Sequence, residues 1–264
     1  MRCAIALLLA GAALWSQDWH EWVEKGLAAS QAGRYAEAAE AFQKAVALAP
    51  DEVEPHVYLG DAWLAQYIPG AMAPENLDFG RKAEAEFREA LRIEPDNETA
   101  IAAIASLKYQ QAMGEQDSAE KLQKLNEAAS WYERAVAVNP QNKEAFYSRA
   151  VIVWGMWYPA WIAARAGLGM GPSDPGPIMD PTVRQQLKQR YSAMLDQGVS
   201  DLEKALMLDP MYDDAMAYMN LLIRERADLD DSAAQYASDI EAADKWVEKA
   251  LETKRLKAAA AKQQ

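Results

Sequence analysis

The chain has 264 residues, 51% apolar and 25% charged, with a formal net charge of −13. So acidic a balance excludes nucleic acid or anionic lipid as a main partner, because either needs a basic footprint. One cysteine and two histidines leave no disulfide framework and no thiolate or imidazole cluster for a metal, so no cofactor is expected.

In chain order, residues 1–16 come first. Arg2 supplies a short positive start, and 3–14 is an unbroken apolar or small run. It is too short to cross a bilayer, which takes about 20 residues, but suits the apolar region of a secretory signal. Cleavage near Ser16 is expected, and with it export to the periplasm or the cell exterior. Cys3 precedes the apolar run rather than following it, so the mature chain would carry no cysteine.

Beyond residue 17 four stretches end in nearly the same phrase: EAAEAFQKAVALAP (37–50), KAEAEFREALRIEP (82–95), EAASWYERAVAVNP (127–140) and GVSDLEKALMLDP (198–210). A fifth, AADKWVEKALETK (242–254), lacks only the proline. Each reads as an amphipathic helix with a small residue, an aromatic or aliphatic four later, and Ala three after that. Self-similarity at this spacing points to a solenoid built from one helical unit.

The first unit, 19–52, carries Trp22, Gly26, Ala38, Phe42, Ala45 and Pro50, and through them the chain resembles the tetratricopeptide repeat family. The resemblance implies an all-α fold, a right-handed alpha-alpha superhelix of about five helix pairs. In such pairs small residues let helices approach, aromatics fill the gaps, and Pro ends the second helix. Gly33 sits where the turn between the helices needs tolerance of positive φ. The later units, about 53–97, 98–142, 143–212 and 213–255, match at both ends but are stretched between. The second opens with Leu59-Gly60 and closes with Ala83, Phe87, Ala90 and Pro95. Its insertion contains Pro69-Gly70 and Pro74, so a loop is expected there. In the third and fifth the inserted sequence is helix-compatible, with Asp117/Ser118 and Asp231/Ser232 as candidate N-caps.

The fourth unit departs most. From Lys143 it runs AFYSRAVIVWGMWYPAWIAARAG, then a Gly/Pro-rich stretch at about 167–181, then a helix from about Thr182 to Leu208. The closing helix near 232–255 reads as a cap, and 256–264 as a polar, Ala-rich, flexible tail.

Candidate chemistry is thin. His20 and His56 have no partner spacing for metal or catalysis, and no nucleophile elbow, phosphate loop or dinucleotide fingerprint occurs. Asp174 and Asp180 are the only carboxylates near the long loop that an enzyme could use, and the chain is read as non-enzymatic. The resemblance implies instead a groove lined by the first helix of each pair, here Tyr58, Asp61, Tyr109, Tyr147, Trp154, Tyr218 and Arg224. The family's cationic clamp for a C-terminal carboxylate is missing from those slots. A Tyr/Trp-lined groove suits an extended peptide, a helix or, as an alternative, a glycan or other small ligand. Trp154, Trp157, Tyr158 and Trp161 form a cluster open to three readings: packing beneath the loop, a partner-binding patch, or a membrane contact in which only Arg165 would meet anionic lipid. The readings separate on structure. A scaffold shows a broad, partly apolar groove, a glycan binder coplanar exposed rings, and an enzyme a buried, perturbed carboxylate in a cleft.

Overall fold

The computed structural model describes residues 19–262. The segment 1–16, and with it the reading of an export signal, lies outside the described residues. The chain packs as two compact units divided between Arg134 and Ala135.

The first unit contains α1 (19–31), α2 (Tyr35–Leu48), α3 (Val53–Leu64), α4 (Pro74–Ile93), α5 (Glu98–Gly114) and most of α6 (Ser118–Val138). The repeated phrase is its core: Ala38, Phe42 and Ala45, then Ala83, Phe87 and Ala90, are almost wholly buried. Each buried aromatic contributes on the order of 2 kcal/mol of transfer free energy. Gly60 shows why a small residue stands opposite, for a Cβ there would lie 2.5 Å from the Phe87 ring. Gly26 meets Phe42 in the same way. Gly33 has φ +72 and makes the turn into α2.

Between α3 and α4 the insertion is a loop held by one buried side chain. Asn76 accepts from the Ile68 N–H at 2.7 Å and donates to the Ile68 and Ala71 carbonyls, each at 2.8 Å. His56, also buried, ties α3 to its neighbours, with Nδ1 2.7 Å from Glu86 Oε2 and Nε2 donating to Pro50 O at 3.0 Å. Asn97 caps α5, and the Asp117 carboxylate caps α6 through the Ala119 and Glu120 N–H groups.

The second unit consists chiefly of α7 (Lys143–Gly167), α8 (Pro181–Leu208), α9 (Asp213–Ala227) and α10 (Ala233–Ala261). Asn142, Asp180 and Ser232 cap α7, α8 and α10 with side-chain oxygens. α7 packs on α8 and α9, and α9 on α10. Leu202, Ala205, Met216, Leu222 and Ala243 stand at the centre of the resulting core. α10 continues past Arg255 through Ala261, as its alanines favour. Residues 168–180 form no helix, because glycines and prolines break the pattern, and Gly169 and Gly176 adopt φ +73 and +101.

The described residues are helix, turn and loop, with no strand, so the all-α helical-repeat fold read from the sequence holds. No helix among them is long and apolar enough to cross a membrane.

Candidate functional site

α7 is long enough to carry an aromatic series beyond the pairing region, and the structure splits that series in two. Trp157 is 0% and Trp161 7% exposed. Trp157 packs edge-on against Tyr191 at 5.2 Å and offers no surface to a partner. Trp154 and Tyr158 are half-buried and continue as a chain of ring contacts. Trp154 meets Tyr158 at 4.9 Å and Tyr218 at 5.8 Å, while Tyr147 meets Tyr218 at 5.5 Å. Of the residues read from the sequence as binding, α7 and α9 thus bring together Tyr147, Trp154, Tyr158 and Tyr218. Tyr58 and Asp61 on α3 and Tyr109 on α5 belong to the first unit. Tyr58 stacks on Phe42 at 5.4 Å. Asp61 retains exposed surface, yet the protein around it pushes its carboxyl up to about 6.

Below Tyr158 the last turns of α7, the 168–180 loop, α9 and the start of α10 enclose a cavity of about 620 Å³. Its wall includes Tyr158, Trp161, Asp174, Arg224, Glu225 and Tyr236. The loop has few backbone partners of its own, so side chains supply them. Arg165, 2% exposed, donates from Nε to Gly171 O at 3.1 Å and also reaches the carbonyls of Asp174 and Gly176. Its guanidinium pairs with Asp228, which accepts from Trp161 Nε1 at 2.6 Å. The Ile178 N–H donates to Asp228 O at 3.1 Å, and the Gly176 N–H to the Tyr236 hydroxyl at 2.9 Å. Burial pushes the Asp228 carboxyl up, opposed by Trp161 and Arg165. Arg165 is therefore a loop staple, and the contact with anionic lipid considered for it is ruled out by its burial.

Glu225 is the unexpected member. It is 5% exposed and lines the cavity. One carboxylate oxygen accepts from Trp154 Nε1 at 3.0 Å, while the other has no hydrogen-bond partner. Burial drives its pKa up to about 7, held back by the Trp154 N–H and raised further by Asp228. The Trp157 N–H also acts on it electrostatically, from outside hydrogen-bond geometry. Arg224 is engaged with Asp244 and with Asn220 Oδ1 at 3.2 Å. Among the described residues no Lys or Arg pairs with Glu225. Of the two loop carboxylates, Asp180 caps α8 and Asp174 accepts from the Gly171 N–H at 2.6 Å.

Sequence reasoning passed over Glu225, Asp228 and Tyr236. Glu225 stands in the run RERADLDD (224–231), which looks like a solvated face. The signal was its register: Glu225 lies seven residues after Tyr218 and three after Leu222, on the helix face turned to α7.

The comparisons agree with this architecture. Models of the tetratricopeptide repeat match residues 19–52 and 117–142, so the chain carries tetratricopeptide repeats over those residues. No curated protein matches the sequence. Among solved structures, the crystal structure of MamA protein superposes with a TM-score of 0.56 at 15% identity, covering 92% of this chain and 96% of that one. MamA 41-end from Desulfovibrio magneticus RS-1 gives 0.52 at 15% identity, covering 90% and 95%. MamA MSR-1 C2 gives 0.52 at 15% identity, covering 91% and 98%. Likeness at this identity speaks to the fold alone.

Proposed function

We propose that the chain is a non-enzymatic scaffold that binds a peptide or protein partner outside the cytoplasm, and that the second unit holds the partner. The observation that carries this reading is the cavity of about 620 Å³ beside the half-buried rings of Trp154, Tyr158 and Tyr218. Repeats of this family supply helix faces for recognition, and a concave, aromatic-walled site with a few polar groups fits an inserted side chain. Export rests on residues 1–16 alone. The glycan alternative receives less support, since neighbouring rings meet at 33° and 87° rather than forming a flat platform.

Glu225 favours a second reading, because a buried, perturbed carboxylate in a cleft is the mark stated above for an enzyme. It would then serve as a general acid or base. Against that reading, burial accounts for its raised pKa and the nearby carboxylates are engaged, Asp228 by Arg165 and Trp161 and Asp174 by the Gly171 N–H.

The test is an in vivo crosslinking pull-down of tagged full-length protein beside Tyr158→Ala/Tyr218→Ala, after both are shown equally helical. These two rings are chosen because Trp157 and Trp161 are core. A defined partner lost in the variant supports the reading. No protein partner in either form overturns it, and an unchanged partner moves the contact away from the second unit.

A further inference from the structure

Counting charges around the cavity leaves two carboxylates without a cation: Asp174 on the loop, which accepts from the Gly171 N–H, and the buried Glu225. Arg165 is compensated by Asp228, and Arg224 by Asp244. Glu225 has aromatic N–H groups beside it but no cation, and one of its oxygens has no hydrogen-bond partner. A carboxylate 95% removed from solvent and left in this state is rare in a folded chain, and each case needs an explanation. The wall adds the faces of Tyr158 and Trp161, ring systems that attract cations. Trp161 already has the Arg165 guanidinium, which Asp228 also holds, over its ring at 5.2 Å.

We propose, building on the scaffold reading, that this cavity receives the guanidinium or ammonium group of an Arg or Lys side chain from the partner, with Glu225 as its counter-ion. An anionic group would meet Glu225, Asp228 and Asp174 together, while the two cations of the wall, Arg165 and Arg224, are already held by Asp228 and Asp244. A neutral apolar group would leave the Glu225 carboxylate without a counter-charge. A cation places a positive charge beside a buried carboxylate that has none and gains the ring faces of the wall. The cavity has room for such a side chain and adjoining backbone, being within the usual range of about 300–1,000 Å³ for ligand sites. The net charge of −13 would also speed the approach of a basic segment.

The experiment is calorimetric titration of the full chain with acetyl-Gly-Gly-Arg-Gly-Gly-amide, the same peptide with citrulline for Arg, and agmatine. The Arg peptide should bind at least on the order of tenfold more tightly than its uncharged citrulline counterpart, the worth of one buried charge-assisted contact. Agmatine, which lacks the peptide, should also bind more weakly. Glu225→Gln should abolish the preference for Arg over citrulline. The inference is overturned if citrulline binds as well as Arg, if Glu225→Gln keeps the preference, or if agmatine equals the peptide, which would make the ligand a free amine. The Arg/citrulline comparison on the unaltered protein stands even where the variant folds poorly. A crosslinked partner captured equally by unaltered and Glu225→Gln protein would sink this inference and leave the scaffold reading intact. Cation binding without any protein partner would do the reverse.

Discussion

Replacing Glu225 by Gln should change how stability depends on pH, and the size follows from the structure. The folded-state pKa is raised from 4.5 to about 7, chiefly by burial. The folded protein therefore holds this proton more tightly than the unfolded chain does. The stability it contributes is fully present below pH about 4.5 and is lost as pH rises through about 7. At about 1.4 kcal/mol per pKa unit, the full difference is about 3 kcal/mol, of which about 2.5 kcal/mol falls between pH 5 and 8. Glu225→Gln removes the titrating group, so its stability should decline about 2.5 kcal/mol less than that of the unaltered protein over that interval. The assay is urea unfolding of both proteins at pH 5, 6, 7 and 8, followed by tryptophan fluorescence. Comparing slopes cancels any pH-independent offset from the amide itself. Parallel pH profiles would refute the assignment of Glu225 as a buried, uncompensated acid.

Three further substitutions test other parts of the structure. Gly60→Ala drives a methyl to 2.5 Å from the buried Phe87 ring and should cost about 1–3 kcal/mol in urea unfolding; no loss would mean the two helices are not so close. Arg149→Met strands Asp201, 1% exposed and paired to Arg149 at 3.0 Å, and should destabilise the protein by about 3–5 kcal/mol at pH 7, with Arg149→Met/Asp201→Leu recovering much of it. His56 has its pKa raised, first by Glu86, so its stabilisation is present below pH about 6.5 and is lost as pH rises through the folded value. His56→Asn should therefore show a smaller decline in stability between pH 6 and 9 than the unaltered protein, and equal declines would remove the imidazolium from the account.

The repeat phrase made the helix pairs legible because it records close packing. Ala38, Phe42 and Ala45 recur as Ala83, Phe87 and Ala90, and each set is buried for the same steric reason. The cap residues Asp117 and Ser232, the loop after α3 and the helix-breaking stretch before α8 were readable from local chemistry alone. The site was less so. The sequence marked Trp154 to Trp161 as unusual, but only packing separates Trp157, at 0% exposure, from half-buried Tyr158. Glu225 and Asp228 were hidden because a charge inside a charged run looks solvated until the partner helix is in place. Arg165 drew attention as a surface cation and is instead a buried hub for loop carbonyls.

The 168–180 loop is held from three helices at once: Arg165 on α7, Asp228 just beyond α9, and Tyr236 on α10. Loosening the first turns of α10 frees the Gly176 N–H and removes Tyr236 and Ile240 from the cavity wall. Filling the cavity and docking the end of the chain are thus linked equilibria: whatever binds there favours the docked helix by mass action. Amide hydrogen exchange at the start of α10 then becomes a reporter of occupancy, slowing when the cavity fills although those amides touch no ligand.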